Sequence, residues 1–464
     1  MWTIRATSVT VRHATINRFK KSRRLLLTFF AILIIMSTIA PNSTPFAQTS
    51  PTEPGLMSRA RAIHEKVINL DTHIDFEPAN LTGERNYTQR LETQFNLPNM
   101  IDGGLDALFF SIYVGQTREA QNPDAFTSAG YERAYKLAVE KFDAVQRFTR
   151  EIAPDKIELA LTAADVTRIA KSGKKVAVIG IENGYPLGEE ITRVKEFYDR
   201  GARYLSLTHN GHNQLADSHT GERDGWKWKG VSPFGKQVIT ELNRLGIMVD
   251  VAHASKESMM QAAALSKAPI IASHSAARAL CDVSRNMDDE QLLALKKSGG
   301  VIQVVAYSGF VKTTKPDSPE RTAALATVRK EYNLPEAAGP GQRARFQAAL
   351  TQLPADRRAE YDRKLAEIDK AYPGDPPVTL KDFVDHIDYA VKLIGIDHVG
   401  ISSDFDGGGG VVGWNDASET FNVTLELVRR GYTESQIEKL WGGNLLRVMD
   451  EVQRIAKDIQ KKLE

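Results

Sequence analysis

Eight short apolar runs, rich in β-branched residues, recur along this 464-residue chain with amphipathic helical patterns between them. Several runs are almost continuous in Val, Ile, Leu and Phe, which is typical of parallel strands buried on both faces. The runs are Val67–Leu70, Ala107–Val114, Val176–Ile181, Tyr204–Leu207, Ile247–Val251, Pro269–Ala272, Val301–Ala306 and Val399–Ser402. Eight strands alternating with helices predict a TIM-type (β/α)8 barrel of the α/β class rather than an open six-stranded sheet.

The helical patterns between the runs carry start and stop signals. Ser232 and Pro233 stand where a cap and an early proline begin a helix, and Gly246 ends it just before the next run. Ser255 caps another helix that runs to Leu265. These signals predict crossover helices between the strands.

One charged, proline-punctuated stretch, residues 314–378, interrupts this alternation. Its helical patterns at Gly341–Leu353 and Ala355–Ala371 predict a helical insertion between the seventh strand and its helix. This composition is compatible with a lid over the barrel mouth, with a dimer element, or with a segment that is merely exposed to solvent. Insertions that follow a strand emerge on the active-site face of a barrel, which favours a lid or rim.

The first 47 residues have the three parts of a secretory signal. A basic cluster, Lys20–Arg24, precedes the apolar run Leu25–Ala40, and a small, turn-rich stretch then reaches Ala47. This order predicts a signal peptide over residues 1–47 and a barrel domain over residues 48–464. An uncleaved membrane anchor is the alternative, although the apolar run is shorter than the span of about 20 residues that a bilayer requires.

The net charge argues against nucleic acid as a partner, and the cysteine content indicates the cellular compartment. Without residues 1–47 the formal net charge falls from +2 to −5, so the body of the chain has no basic footprint for nucleic acid. Cys281 is the single cysteine, so no intrachain disulfide can form. An exported chain without disulfides suits a bacterial periplasm, and an uncleaved N-terminus would tether it to the membrane.

Polar residues of metal-ligand type stand where the apolar runs end. They are His73, Asp75, Glu182, His209, His253, His274 and Asp404. Taken singly, each histidine is explained at least as well by a hydrogen-bonded core residue, and the glutamate by a cap or an ion pair. Barrel enzymes, however, place their chemistry at the carboxyl ends of their strands. Four of the ten histidines at such ends predict a joint site.

Imidazoles and carboxylates together suit Zn²⁺ or a similar borderline cation. Two such ions about 3.5–4 Å apart need a shared anionic ligand, and Glu182 is the natural bridge between them. A water held between the ions would be acidic enough to supply hydroxide at neutral pH. The sequence therefore predicts a two-metal hydrolytic centre.

A series of sequence blocks follows in one order between residues 60 and 455. The blocks include Asp71–Asp75, Gly180–Gly184, Leu205–Asn210, Ser232–Gly235, Glu241–Gly246, Asp250–Ser255, Ser273–Ala276, Ser284–Asn286, Asp404–Gly407 and Asn444–Val448. In these blocks the chain resembles the membrane dipeptidase (renal dipeptidase) family of the amidohydrolase superfamily. It lacks the cysteines of the animal members, so it looks like a bacterial member.

The resemblance implies two zinc ions per chain and assigns their ligands. His73 and Asp75 would bind one ion, and His253 and His274 would bind the other. Glu182 would bridge the two and so belong to both the metal set and the catalytic set. The resemblance also implies a homodimer.

The resemblance further implies three residues that act on the substrate. His209 would contact the scissile carbonyl oxygen and stabilise the oxyanion, and Asp404 would act as acid and base beside the metals. Arg285 would grip the C-terminal carboxylate of a dipeptide through its planar guanidinium. From the residues alone, a surface ion pair is the better explanation of Arg285, with Asp282 or Asp288 as its partner.

The expected activity is zinc-dependent hydrolysis of dipeptides by attack of metal-bound hydroxide, with tolerance of D-residues at the C-terminal position. Hydrolysis of N-acyl amino acids, β-lactams or lactones at the same site is the nearest alternative. A non-catalytic binding barrel is the alternative from another class. Trp226 and Trp228, in a segment that animal members lack, either line the mouth or pack against neighbouring helices.

Overall fold

The computed structural model describes residues 53–116, 124–335, 345–346, 349–350 and 352–463. The signal peptide or anchor predicted over residues 1–47 lies outside these ranges, as does most of the helix predicted at Gly341–Leu353. No helix within the described ranges has the length and apolar character that a membrane span requires.

Within the described residues, nine parallel strands form one sheet. They are β1 (Leu70–Ile74), β2 (Ala107–Tyr113), β3 (Ile157–Leu159), β4 (Lys175–Glu182), β5 (Ala202–Ser206), β6 (Met248–Asp250), β7 (Ile271–Ser275), β8 (Val301–Val305) and β9 (Val399–Ser402). The order is β1-β2-β4-β5-β6-β7-β8-β9, and β3 pairs beside this path with β4. Apart from the short β3, neighbouring strands in the sheet are therefore consecutive along the chain, as a (β/α)8 barrel requires.

The sheet closes on itself between β1 and β9. Ile74 forms a parallel bridge with Phe405. The backbone N–H of Asp75 donates to the carbonyl of Phe405 at 2.9 Å, and that of Asp404 donates to the carbonyl of His73 at 3.2 Å. The predicted TIM-type (β/α)8 barrel is thus confirmed.

Helices surround the barrel and follow its strands. They are α1 (Glu53–His64), α2 (Leu97–Gly103), α3 (Ser128–Arg147), α4 (Ala163–Lys171), α5 (Thr192–Asp199), α6 (Gly221–Asp224), α7 (Pro233–Leu245), α8 (Lys256–Leu265), α9 (Asp289–Lys297), α10 (Ser308–Val311), α11 (Pro319–Glu331), α12 (Ala355–Ala371), α13 (Leu380–Ile394), α14 (Phe421–Arg429), α15 (Glu434–Glu438) and α16 (Asn444–Gln460). The predicted caps of α7 and α8 are confirmed, because Ser232 and Ser255 each accept the backbone N–H three residues ahead.

Two predicted strand limits are wrong, and one strand was not predicted. The first strand begins at Leu70 and continues through His73, and β7 runs on through His274. Polar residues continue these buried strands because they bond inside the barrel: Asp71 accepts the backbone N–H of Ser403 at 3.0 Å. The three-residue β3 is too short to leave a hydrophobic pattern.

The barrel interior is apolar at its amino-terminal end. Alternate residues of the strands point inward, and Phe109, Val176 and Val178 lie there in one apolar cluster with Tyr204. Val448 of α16 belongs to the same cluster, so the last helix packs against this end of the barrel. Burial of this apolar surface holds the strands in register and leaves the opposite end for polar side chains.

The charged insertion follows β8 and contains α11 and α12. These two helices share a small apolar cluster that includes Val328, Tyr332, Tyr361 and Ile368. A helical insertion at this position is confirmed for the described residues.

Candidate metal centre

The alternation along β4 leads from the apolar interior directly to Glu182. Val176, Val178, Gly180 and Glu182 share one face of this strand, and Glu182 lies 3% exposed at its carboxyl end. Ser111, on the matching face of β2, donates its hydroxyl to Glu182 Oε2 at 3.2 Å. The strand register therefore fixes a buried carboxylate at the centre of the mouth.

The two oxygens of Glu182 face different groups of side chains. Oε2 lies 3.4 Å from His73 Nε2. Oε1 lies 3.0 Å from His253 Nε2 and 3.4 Å from His274 Nε2. On the Oε2 side, His73 Nε2 is also 3.7 Å from Asp75 Oδ2. The five residues predicted as metal ligands thus come together in two groups that share one carboxylate.

Hydrogen bonds behind the rings orient the histidines. His73 Nδ1 bonds to the Tyr204 hydroxyl at 2.9 Å, and His274 Nδ1 bonds to Ser273 Oγ at 2.9 Å. Asn210 Oδ1 accepts from His253 Nδ1 at 3.0 Å. Each ring therefore turns its Nε2 atom toward Glu182. In metal-binding histidines, a hydrogen bond to the other ring nitrogen fixes the ring in the same way.

The donor set fits divalent cations of the zinc type. His73 Nε2 is buried and has no hydrogen-bond partner in the described part of the chain, although it faces carboxylates. Ligand atoms of His73, Asp75 and Glu182 lie within 4.8 Å of one another, and the same holds for Glu182, His253 and His274. Buried imidazole nitrogens and carboxylate oxygens in groups of three are the ligands that zinc binds in catalytic sites.

Asp404 lies at the border of this cluster. Its Oδ1 is 3.8 Å from His73 Nε2, and its ligand atoms are also within 4.8 Å of those of His73 and His274. Burial raises the pKa of Asp404 well above its usual range, and the charges of Asp75 and Glu182 raise it further. Asp404 is therefore placed either to bind a cation or to carry a proton.

Burial and neighbouring charges set the protonation of the other groups. Burial lowers the pKa of His253 and His274 well below the ordinary value, and the charge of Arg285 lowers both further. They are neutral at pH 7, which is the form that binds a metal. Burial alone would raise the pKa of Glu182, but the charge of His73 and hydrogen bonds with His253 and His274 hold it well below its usual range.

Left-handed backbone conformations cluster at the mouth. Six non-glycine residues in the described ranges have positive φ, and four of them lie in the loops that follow barrel strands. These four are Asn183 (77°), His253 (65°), Asp404 (60°) and Asp406 (62°). Such conformations are unfavourable for L-residues and concentrate at functional sites, where they aim particular side chains.

His209 differs from the other three histidines because its ring is the most open to solvent. Its side chain is 20% exposed, against 0%, 5% and 2% for His73, His253 and His274. Its Nε2 lies 3.6 Å from Glu182 Oε1. His209 therefore borders the cluster with a face that a ligand can reach.

A cavity of about 330 Å³ opens over this cluster, and we call it the site cavity. Its lining residues are Asp75, Phe76, Glu77, Tyr113, Lys141, Glu182, His209, Asn210, His253, His274, Tyr307, Phe310, Asp404, Asp406 and Gly407. Tyr307 thus faces the mouth, whereas Trp226 and Trp228 do not line it. Trp228 instead donates its indole N–H to the carbonyl of Asn213 at 2.8 Å.

Arg285 is a buried cation beside the site cavity without a carboxylate partner among the described residues. Its terminal nitrogens donate to Ser275 Oγ at 2.8 Å and to the carbonyl of His274 at 2.7 Å, and its Nε is buried without a partner. Burial lowers its pKa to about 10. Asp282 and Asp288 pair instead with Arg278 and Lys256, so an ion pair with either does not explain Arg285.

Sequence reasoning missed the residues that orient the predicted metal ligands. Tyr204 fits beneath His73 because a Cβ on Gly180 would lie 2.0 Å from Tyr204 Cζ, so only glycine leaves room for its ring. His219 Nε2 bonds to Asn210 Oδ1 at 2.8 Å and so supports the residue that orients His253. A glycine inside a buried strand was the one available signal, because it marks a close approach of another group.

Comparison with known proteins identifies a matching family and similar proteins. The profile of the family described as membrane dipeptidase (peptidase family M19) matches residues 57–463. Dipeptidase tcpJ of Claviceps purpurea is 29% identical over 370 residues, which cover 80% of this chain and 72% of that protein.

Two solved structures are also similar to this chain. The probable dipeptidase PvdM of Pseudomonas aeruginosa is 34% identical with a TM-score of 0.67, over 86% of this chain and 99% of that chain. A metallopeptidase of Rhodobacter sphaeroides, liganded with a phosphinate mimic of L-Ala-D-Ala, has the same fold at 21% identity and a TM-score of 0.60, over 83% of this chain and 99% of that one.

Proposed function

Because the chain belongs to the membrane dipeptidase family, peptidase family M19, we propose that it hydrolyses dipeptides at a centre of two zinc ions. The observation that carries this proposal is the position of Glu182, whose two carboxylate oxygens each face a separate set of ligand atoms. His73 and Asp75 would hold one ion with Glu182, and His253 and His274 would hold the other. When bound, two such ions acidify a water molecule and polarise a carbonyl group.

Asp404 would move the proton in this reaction. Its carboxylate lines the site cavity beside the proposed ligands, and its raised pKa suits a group that takes a proton from the attacking water at Oδ1. The same oxygen would return the proton to the leaving amine, as general acid–base catalysis requires.

His209 would stabilise the charge that develops on the carbonyl oxygen. Its ring nitrogens make no hydrogen bond to another described residue, so they are available to the substrate. Burial lowers the pKa of His209, which keeps the ring neutral at pH 7 with one N–H to donate. A donor aimed at the oxyanion contributes most when it is held in place beforehand, and Tyr113 and His253 pack against this ring at 4.5 and 4.3 Å between centroids.

Arg285 would attract the C-terminal carboxylate. Its guanidinium is the buried cation beside the mouth, and its unpartnered Nε leaves a donor for an anion. The uncompensated charge is costly in a buried position, and a substrate carboxylate would offset this cost. We extend the proposal to dipeptides with a C-terminal D-residue, which the family resemblance implies.

Metal content and a small substrate panel test the proposed function on the full-length chain. We expect about two zinc ions per chain, measured by mass spectrometry, and cleavage of L-Ala-L-Ala and L-Ala-D-Ala. A chelator should abolish cleavage and added zinc should restore it. N-acetylated and C-amidated controls should resist.

Two outcomes would contradict the proposed dipeptidase function. Two metals without dipeptide cleavage would direct the search to N-acyl amino acids, β-lactams and lactones. A chain that binds no metal and cleaves nothing would instead support a binding barrel.

Gly407 tests the geometry of the cluster sterically. A Cβ at this position would lie 2.2 Å from Asp75 Oδ2 and 2.5 Å from Asp404 Oδ1. We expect Gly407→Ala to displace both carboxylates and to lower kcat/KM by about 10²-fold, as ångström-scale misplacement does. Gly83→Ala is the matched control, because a Cβ there meets no atom within 4 Å. Equal activity of the two variants would argue against the placement of these carboxylates.

We also propose export to a bacterial periplasm, with residues 1–47 as a cleaved signal or an anchor, and a homodimeric state. The basic and apolar N-terminal pattern supports export, and the family resemblance supports the dimer. Cell fractionation with N-terminal sequencing tests the first proposal. Light scattering of the purified protein tests the second.

A further inference from the structure

Lys141 is a cation in the site cavity that the proposed mechanism does not use. It is the single lysine or arginine among the described residues that line the cavity. Its ammonium lies 5.2 Å from the centroid of the Phe76 ring and donates weakly to the carbonyl of Phe76 at 3.4 Å. No described carboxylate lies within ion-pair distance of it. A partly buried ammonium with this surrounding is available to an anion that enters the cavity.

The topology places Lys141 across the mouth from Arg285. Lys141 belongs to α3, which follows β2, and it contacts Phe76 just beyond β1. Arg285 lies beyond β7, which is four strands from β2 in the closed eight-strand order. The strand order therefore puts the two cations on opposite sides of the barrel mouth. If Arg285 attracts the C-terminal carboxylate, Lys141 faces the amino-terminal residue of the dipeptide.

Glu77 lies at the same end of the cavity and carries the opposite charge. Its carboxylate makes no hydrogen bond or ion pair with another described residue, and it stands one residue beyond Phe76. A free cation and a free anion at one end of the cavity match an aminoacyl group that carries both charges. The α-amino group supplies the positive charge, and an acidic side chain on the same Cα supplies the negative one.

We propose that the site cavity selects dipeptides whose amino-terminal residue is acidic, aspartyl or glutamyl, with Lys141 pairing with the side-chain carboxylate. The inference rests on the proposed dipeptidase function and adds the substrate class. Lys141 acts here as a specificity residue, because it contacts a part of the substrate that does not react.

The test compares isosteric substrate pairs on the full-length zinc enzyme. Asp-Ala and Glu-Ala differ from Asn-Ala and Gln-Ala in charge and hardly in shape. We expect the wild type to favour the acidic member of each pair, and Lys141→Met to lower kcat/KM for that member by about 10- to 100-fold, as loss of a charge-assisted bond does. The amide members should change less than about twofold. Lys141→Glu should reverse the preference toward Lys-Ala.

Lys136→Met is the matched control, since Lys136 lies on the same helix but is exposed and pairs with Glu132 at 3.9 Å. The Lys136→Met variant should have the same kcat/KM as the wild type for every substrate. An unaltered Asp-Ala to Asn-Ala ratio in Lys141→Met would overturn the inference. An equal loss on all dipeptides would also overturn it, because Lys141 would then bind a group that all dipeptides share. A wild type that cleaves no dipeptide would contradict the proposed function itself, which keeps the two failures distinct.

Discussion

Glu182→Gln is expected to release both proposed metal ions and to lower kcat/KM by more than about 10³-fold, since loss of one charge-stabilising donor alone costs about 10²–10³-fold. The reason is geometric. Oε2 faces His73 while Oε1 faces His253 and His274, so a single carboxylate serves two groups of ligands. Glutamine keeps the shape and one oxygen, but it carries no negative charge to hold two cations close together.

Measuring metal content together with activity tests the role of Glu182 in metal binding specifically. Mass spectrometry of the purified variant should find well under one zinc per chain after dialysis that leaves the wild type loaded. Glu190→Gln is the matched control, because Glu190 is an exposed carboxylate on the loop that follows the same strand. Thermal unfolding without metal should show that Glu182→Gln still folds. A variant that keeps one tightly bound ion would show that Glu182 serves one metal and does not bridge two.

The positions of the proposed ligands were predictable because they depend on two periodic features. Parallel strands bring their carboxyl ends to one mouth, so Glu182, His253 and His274 had to meet once each apolar run was recognised. Alternation within a strand then placed His73 and Asp75 on one side. Both features are properties of a repeating backbone, and a sequence displays them directly.

The residues that orient those ligands were not predictable in the same way. Tyr204 reaches His73 from another strand, and Asn210 reaches His253 from a loop. Such contacts depend on which side chains meet in space, and no spacing along the chain encodes them. The positive φ values of His253 and Asp404 likewise cannot be predicted from the spacing of residues along the chain. For Arg285, the sequence allowed nearby acidic partners that the folded chain assigns to other cations.

Asp404→Asn is expected to lower kcat by about 10²–10⁴-fold, the usual contribution of a general acid or base, while KM and metal content stay unchanged. The amide has the shape of the carboxylate but cannot accept and return the proton. Asparagine also suits the backbone here, because Asp404 has a φ of 60° and asparagine tolerates this left-handed conformation better than most residues. The substitution should therefore remove the chemistry without adding strain.

The same variant separates two roles that the geometry alone allows for Asp404. Its carboxylate lies 3.8 Å from His73 Nε2 and forms a possible ligand group with His73 and His274. If Asp404 binds a cation, Asp404→Asn will lose metal as well as activity, and added zinc will restore part of the rate. If Asp404 carries the proton, both ions will remain and added zinc will change nothing. Wild-type kcat in a fully loaded variant would exclude both roles and place the proton carrier elsewhere in the cavity.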